Sequence, residues 1–381
     1  MKRSTERILT THTGSLPRPD DLLALLYARD QGEPPEPAAF QACARAAVAD
    51  IVRKQIEAGV DIVNDGEMSK IGYSMYVKGR LTGFEGESGP PISPSDLTEF
   101  PEYTQRLWRD RPITKMKTPA CTGPVTYRDR DAVRADIEDF KAALVGVKPE
   151  ETFLSAASPG VISLFLKNQY YPSHAAYLEA LADAMKEEYT AIHQAGFLLQ
   201  VDCPDLAMGR HIQFADVGLD EFLKNADLHV EALNHAVAGI PPERMRLHLC
   251  WGNYPGPHHR DVPLRDIIDV VLKARPAAVS FEAANPRHAH EWKLFQDVKL
   301  PDGKLLIPGV LDSTTNFIEH PKLVAERICR FARAVGRENV IAGTDCGFST
   351  FAGLTQVDPK IIWAKFRAMA EGARLASQRL W

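Results

Sequence analysis

The regular alternation of short apolar segments with amphipathic helical segments is the feature that most constrains how this chain folds. Such alternation predicts a parallel sheet with helices on its outside, and the apolar segments are continuous runs of the kind found in buried parallel strands. In the later part of the chain the repeat keeps to the roughly 31 residues per unit of a (β/α)8 barrel. Neither a Gly-x-Gly-x-x-Gly motif nor a phosphate-binding Gly-Lys-Ser/Thr motif occurs, which argues against a nucleotide-binding open sheet.

The predicted strands outnumber those of a barrel by one. They cover residues 8–15, 60–65, 120–126, 153–157, 198–203, 246–250, 277–282, 305–312 and 340–346. The extra strand is either 120–126 or 153–157, and we attribute it to an insertion that spans about residues 79–117. We therefore predict one domain over residues 1–381, a single (β/α)8 TIM barrel with an N-terminal elaboration. The main helices are predicted at residues 38–58, 175–195, 219–238, 264–274, 322–335 and 360–380.

Composition and charge exclude several classes of function. With 45 basic and 50 acidic residues the net charge is −5, whereas a general nucleic-acid binder needs a basic face. The sequence contains no run of about 18 apolar residues, the length needed to span a membrane, and its first residues lack the apolar stretch of a signal peptide. We expect a cytoplasmic enzyme with neither nucleic acid nor membrane as a partner. The six cysteines are too few for a disulfide framework, and Cys43 and Cys329 lie in helical patterns typical of core residues.

Four side chains that can bind a metal lie at the ends of predicted strands. His248 and Cys250 are two positions apart and so face the same side of a strand. Glu282 follows Cys250 by 32 positions and Cys346 follows Glu282 by 64, which correspond to one and two barrel units. All four side chains are then expected at the catalytic mouth of the barrel, where two thiols, an imidazole and a carboxylate predict a tetrahedral Zn²⁺ site.

The charge of this ligand set predicts the chemistry of the site. Two thiolates and a carboxylate against Zn²⁺ leave the site about −1, which weakens the metal as an activator of water; hydrolytic zinc prefers neutral histidines. A substrate thiol is still deprotonated when it coordinates zinc and remains a good nucleophile. The predicted reaction is S-alkylation, in which a zinc-bound thiolate attacks an electrophilic carbon.

The same residues resemble the zinc ligands of cobalamin-independent methionine synthases, in the catalytic barrel at the C-terminus of those enzymes. Further motifs extend the resemblance in order along nearly the whole chain: Thr-Gly-Ser-Leu-Pro at 13–17, Asp-Gly-Glu at 65–67, Thr-Gly-Pro-Val-Thr at 122–126, Gln-Val-Asp-Cys-Pro at 200–204 and Ile-Pro-Gly-Val-Leu-Asp at 307–312. The resemblance implies that Glu67 and Asp202 bind the amino group of a homocysteine-like acceptor. It also places Ser15, with His12 beside it, in the substrate loop after the first strand.

Two departures from the family leave the alkyl donor open. The chain is long enough for one barrel only, so the N-terminal half of full-length synthases has no counterpart. The family's catalytic histidine is also missing, because the segment after the seventh strand reads Asp-Ser-Thr-Thr-Asn at 312–316. The donor is therefore a folate, a corrinoid or another carrier. His258 and His259, on a Gly- and Pro-rich loop after the zinc pair, are the predicted general acids that replace the missing histidine.

We predict a methionine-synthase-like alkyltransferase with small-molecule substrates, and three alternatives stay open. The first opens an epoxide with a sulfonated thiol of the coenzyme M type, which would require Arg or Lys near the site; Arg18, Arg53 and Lys70 are candidates. The second is a metal-free enzyme resembling uroporphyrinogen decarboxylase. The third is a non-catalytic binding protein with a closed structural zinc site. The oligomeric state is also open, with a homo-oligomer among the choices.

Overall fold

The structure is a computed structural model that describes residues 1–86, 93–109 and 116–381. Its strands are β1 (Ile62–Val63), β2 (Phe84–Glu85), β3 (Ala120–Cys121), β4 (Glu151–Ala157), β5 (Leu198–Asp202), β6 (Met245–His248), β7 (Ala278–Phe281), β8 (Leu305–Leu311) and β9 (Gly343–Thr344). Seven of them form one parallel sheet in the order β1-β4-β5-β6-β7-β8-β9.

The first predicted strand closes this sheet into a barrel. Its backbone makes only isolated parallel bridges, from Thr10 to Ala342 on one side and from Thr11 to Ile62 on the other. The N–H of Thr11 donates to the Ala342 carbonyl at 2.8 Å, and the N–H of Ile62 donates to the Thr10 carbonyl at 3.0 Å. Because Ala342 precedes β9 and Ile62 begins β1, this segment joins the two edges of the sheet as the eighth strand. The predicted TIM-barrel fold is confirmed.

The extra strand of the nine is the segment at 120–126. Its first residues form β3, which pairs antiparallel with β2 outside the barrel. The alternative, 153–157, lies within β4 and pairs with β1 and β5 as a barrel strand. Part of the predicted insertion at 79–117 lies outside the described residues, and the single-domain organisation stays a prediction.

Helices cover the outside of the barrel. They are α1 (Asp20–Gln31), α2 (Pro37–Glu57), α3 (Val77–Arg80), α4 (Ser95–Thr98), α5 (Pro101–Trp108), α6 (Arg130–Ala143), α7 (Pro159–Phe165), α8 (His174–Gln194), α9 (Leu219–Ala236), α10 (Leu264–Leu272), α11 (Pro321–Val335) and α12 (Pro359–Leu380). Several begin with a proline in the first turn. A backbone N–H at this position would have no partner within the helix, so proline costs no hydrogen bond there. Among the described residues, no helix combines the length and the apolar character needed to cross a bilayer.

The inside of the barrel is apolar at one end and polar at the other. An interior cluster takes apolar side chains from the beginnings of the strands, including Ile62, Leu198 and Leu305. On β6 this place is taken by Arg246, whose guanidinium lies 4.1 Å from the centre of the Phe153 ring. The polar side chains predicted for the site follow at the carboxyl ends of the strands, the end at which barrel enzymes carry their active sites.

Candidate metal centre and cavity

Three of the four predicted metal ligands come together at the carboxyl end of the barrel. His248 is the last residue of β6, Cys250 follows two positions later, and Cys346 follows β9 by two positions. One potential ligand atom from each residue lies within 4.8 Å of the other two, and the two Sγ atoms are 3.6 Å apart. All three residues are buried. Barrel register therefore brings together residues that are up to 98 positions apart in the sequence.

The chemistry of these three residues fits a soft divalent cation. Both ring nitrogens of His248 are buried without a hydrogen-bond partner among the described residues, an unfavourable state for an imidazole that binds nothing. Burial, with the nearby Arg246 cation, lowers the pKa of His248 to about 3, so its ring is neutral and can donate a lone pair. The hydrogen bond with Cys346 and burial raise the pKa of the Cys250 thiol well above its usual value, as expected for two thiols that face each other without a cation. One imidazole nitrogen and two sulfurs are ligands that zinc prefers.

Glu282 lies beside this group and connects two loops of the mouth. It comes directly after β7, and its Oε1 accepts a hydrogen bond from the Trp251 N–H at 2.8 Å. Its Oε2 accepts one from the Asn285 side chain at 2.7 Å. Burial and the neighbouring Cys250 raise the pKa of Glu282 well above its usual value. The three-ligand group does not include this carboxylate, and its role as a fourth ligand stays a prediction.

Asp345 holds the loop after β7 against β9. Its Oδ1 accepts hydrogen bonds from the N–H groups of Ala283 and Ala284 at 2.8 and 2.7 Å, and its Oδ2 accepts one from the N–H of Asn285 at 2.8 Å. These bonds fix the backbone that follows Glu282 and the backbone that precedes Cys346. The position of both side chains therefore depends on this one carboxylate.

The three ligands form part of the wall of a cavity of about 120 Å³. Three of the residues predicted to bind substrate also line it: Ser15, Glu67 and Asp202. Aromatic side chains from separate parts of the chain line much of the remaining wall, among them Tyr73, Phe165 and Phe351. The cavity thus combines a metal-binding group, two carboxylates and an apolar region.

Glu67 and Asp202 offer acceptors for a substrate ammonium group. The Oε1 of Glu67 accepts a hydrogen bond from the Ser155 hydroxyl at 2.7 Å, while its Oε2 is buried and has no partner among the described residues. Asp202 accepts a hydrogen bond from the Gln200 side-chain amide at 2.8 Å. Burial and the nearby Glu67 raise the pKa of Asp202 well above its usual value. A cation placed between the two carboxylates would satisfy both.

Of the two residues predicted at the first strand, only Ser15 reaches the cavity. Its hydroxyl packs closely against Gly347, where a Cβ atom would lie 1.9 Å from Ser15 Oγ. His12 lies deeper in the barrel, where its Nε2 is 2.7 Å from the Gln55 side-chain oxygen. Burial lowers the pKa of His12 to about 3, and its ring packs against Phe153 and Phe366. His12 is therefore a neutral core residue below the site.

The structure places neither of the predicted general acids on the cavity wall. In His258, Nδ1 is 2.9 Å from Asp261 and Nε2 is 2.8 Å from the Tyr254 carbonyl, so both nitrogens are engaged. The Nε2 of His259 lies 3.1 Å from Glu99 on the outer surface. The loop does run over the mouth, but it turns these two imidazoles away from the metal ligands. Their catalytic role remains an untested prediction that the geometry does not favour.

Sequence reasoning missed the aromatic side of the cavity. Phe165 ends α7 and Phe351 lies in the loop after β9, and neither belongs to a motif. Tyr73 is more naturally read from the sequence as a packing residue, yet it lines the cavity. Only the position of these residues after strand ends could have indicated them.

The comparisons with known proteins agree with the fold. The chain is 26% identical over 376 residues to a methionine synthase of Thermococcus kodakarensis, with 97% of this chain and 94% of that protein aligned. It is 25% identical over 404 residues to a 2-hydroxypropyl-CoM lyase of Xanthobacter autotrophicus, covering 98% and 96% of the two chains. A solved structure of a B12-independent methionine synthase from Shewanella sp. W3-18-1 superposes with a TM-score of 0.74 at 20% identity, covering 98% and 99%. No protein-family model matches the chain.

Proposed function

The chain is a relative of the cobalamin-independent methionine synthases, and on that premise we propose that it is a Zn²⁺-dependent alkyltransferase acting on a homocysteine-like thiol. One observation carries the proposal: two thiols and an imidazole without a hydrogen-bond partner among the described residues meet in the wall of a cavity that Glu67 and Asp202 also line. A metal that activates thiols and a binding site for an amino group are the two requirements for an amino-thiol acceptor. Both are met within one cavity.

His248, Cys250 and Cys346 would hold the metal, and Glu282 beside them would be its fourth ligand. Zinc, when bound, lowers the pKa of a coordinated thiol, so that the acceptor sulfur is an anion at neutral pH. Cys250 and Cys346 would place two metal-bound sulfur atoms beside that sulfur, and their electron donation would preserve its nucleophilicity. Burial of the three ligands keeps bulk water away from them.

The carboxylates orient the acceptor. The unpartnered Oε2 of Glu67 would accept a hydrogen bond from the acceptor's ammonium group, and Asp202 would complete the contact. The acceptor sulfur then attacks the alkyl carbon of the donor, a new C–S bond forms, and the leaving group departs with the electrons of the broken bond. Fixing both reactants in one cavity supplies much of the rate enhancement.

The described residues favour an amino-acid thiol over a sulfonated thiol. A sulfonate would need a cation, but none of the three candidates lines the cavity. Arg18 donates to the carbonyls of Glu67 and Lys70, and the Nζ of Lys70 is bonded to the Ser155 carbonyl. Arg53 lies on the outer face of α2 with Asp50 and Glu57. Epoxide opening by a sulfonated thiol is the second candidate, because a relative carries the name of such an enzyme.

The test is the zinc content of purified wild-type protein and of Cys346→Ser, followed by titration with homocysteine and with coenzyme M while proton release is measured. We expect about one zinc per wild-type chain, a large loss in Cys346→Ser, and one proton released for each homocysteine bound. Cys329→Ser is the matched control, since Cys329 is also buried but lies in α11.

The outcomes separate the candidates. Proton release with coenzyme M alone would favour the epoxide-opening reaction. Absent zinc, or zinc that responds to neither thiol, would overturn the proposal in favour of the metal-free or structural alternatives. A cytoplasmic location and exclusively small-molecule partners accompany the proposal as predictions.

A further inference from the structure

We propose that the alkyl donor is an onium compound, a sulfonium or quaternary ammonium ion, held by an aromatic cage in the same cavity as the metal ligands. The inference rests on the proposed function and specifies its second substrate. Three observations support it: the arrangement of the aromatic rings, the charge of the cavity, and the protonation chemistry that its lining residues can provide.

The cage consists of Tyr73, Phe165 and Phe351. The three ring centres are 5.4 to 6.1 Å apart, with angles between the ring planes of 59° to 89°, so the rings meet at steep angles rather than stacking. All three line the cavity. In the proposed cage the electron-rich faces of these rings border one site, the arrangement by which aromatic cages recognise methylated cations.

Backbone contacts fix the cage in place. The N–H of Tyr73 donates to the Thr350 carbonyl at 3.1 Å, which joins the segment after β1 to the loop after β9. Phe351 packs against Gly72, where a Cβ atom would lie only 2.4 Å from the Phe351 ring. A cage built in advance loses little entropy when it binds its ligand.

The charge of the cavity also favours a cation. Its described lining residues include the carboxyl groups of Glu67 and Asp202 and the thiols of Cys250 and Cys346, but neither lysine nor arginine. The described lining is therefore suited to a positive head group.

The leaving group of an onium donor matches the residues present. His248 is the only histidine among the described lining residues, and it is a metal ligand; His258 and His259 point elsewhere. A donor whose leaving group departs as an anion would need an acid at this place. An onium donor does not, because it departs as a neutral thioether or tertiary amine.

The proposed transfer balances without a further reactant. The acceptor sulfur, having lost its proton on binding, forms a bond to the methyl carbon, and the bond from that carbon to the onium centre breaks. Its electron pair stays on the former onium atom, which becomes neutral. Because opposite charges cancel along this path, the apolar surroundings of the cage disfavour the separated ions more than the transition state.

The first experiment measures methyl transfer to homocysteine by the zinc-loaded enzyme. The donors are S-methylmethionine, dimethylsulfoniopropionate, glycine betaine, methyltetrahydrofolate, methylcobalamin and methyl iodide. We expect methylation by at least one onium donor and by methyl iodide, and none by the folate. Methyl iodide needs no donor site, so its failure would overturn the proposed function. Success with methyl iodide and failure of every onium donor would overturn only the onium inference.

The second experiment measures binding without catalysis. Calorimetric titration should show that dimethylsulfoniopropionate binds at least 10-fold more tightly than 4-methylpentanoate, in which an uncharged carbon replaces the sulfonium. Phe351→Leu and Phe165→Leu should each weaken sulfonium binding about 5- to 20-fold. Phe317→Leu, at a residue that is 81% exposed, is the control. Equal affinity for the two ligands, or cage variants that bind the sulfonium as the wild type does, would contradict the cage.

Discussion

At the scale of single residues, Glu67 combines backbone strain with an unsatisfied charge. Its φ is 57°, in the left-handed region that a glutamate seldom occupies, at a cost on the order of 1 kcal/mol. One carboxylate oxygen is held by Ser155, and the other is buried without a partner among the described residues. Strain and an unpaired oxygen at the same residue are typical of a position selected for binding rather than for stability.

We predict that Glu67→Gln raises the KM for homocysteine about 10- to 100-fold and changes kcat less, because the hydrogen bond to a charged group is worth ~1.5–3 kcal/mol. The substituted amide can still accept from Ser155, so the fold should persist. Steady-state kinetics measure both constants. Glu57→Gln, on the outer face of α2, is the control, and an unchanged KM in Glu67→Gln would exclude Glu67 from acceptor binding.

Residue type and spacing were sufficient to predict that His248, Cys250 and Cys346 lie together, but not which aromatic residues line the cavity beside them. His248, Cys250 and Cys346 follow strand ends, and the barrel repeat alone places strand ends together. The direction of a side chain in a long loop depends instead on contacts made elsewhere. Asp261 and the Tyr254 carbonyl bind His258 and turn it from the mouth, and no local pattern indicates this.

At the scale of elements, Asp345 connects β9 to the loop after β7 through three backbone hydrogen bonds. We predict that Asp345→Asn lowers the free energy of unfolding by ~1–3 kcal/mol and weakens zinc binding, since the new NH2 group would face the Asn285 N–H. Chemical denaturation and competition with a chelator measure the two effects. Asp183→Asn, at an exposed carboxylate, should change neither quantity. Full zinc affinity in Asp345→Asn would contradict the positioning role.

The elements that the sequence predicts well are those with a strong local pattern. The predicted helix at 38–58 matches α2 to within one residue at each end, and 360–380 matches α12 equally well. The helices α1 and α6 were not predicted. The strand at 8–15 is in place, but it makes isolated bridges only. Its role as the closing strand depends on both edges of the sheet, which are about 50 and 330 positions away.

At the scale of the whole molecule, a buried histidine–aspartate cluster lowers the free energy of unfolding as the pH rises into the alkaline range. Burial alone would lower the pKa of His258, but its hydrogen bond to Asp261 raises that pKa to about 9. Burial alone would also lower the pKa of His288. Its hydrogen bonds to Asp261 and Glu291 raise that pKa instead, to about 10. The hydrogen bond from the His258 N–H to Asp96 connects this cluster to α4 at the rim of the mouth.

Both folded-state pKa values lie above the ordinary histidine value of about 6.5. At pH values between 6.5 and these pKa values the folded chain therefore binds more protons than the unfolded chain does. The stabilisation is complete below pH ~6.5 and is lost as the pH rises through 9 to 10. We predict that the free energy of unfolding falls by about 6 kcal/mol between pH 7 and 10, and that His288→Gln makes this fall smaller. Urea denaturation across that range measures it, with His235→Gln as an exposed control. An identical slope in His288→Gln would exclude the cluster as the cause.

The central claim is that a substrate thiol joins two protein thiols at one metal. Zinc K-edge X-ray absorption of the zinc-loaded protein, without and with saturating homocysteine, counts the coordinated sulfur atoms directly. The account predicts two sulfur ligands, from Cys250 and Cys346, in the free enzyme and three with homocysteine. An unchanged sulfur count at saturating homocysteine would contradict it.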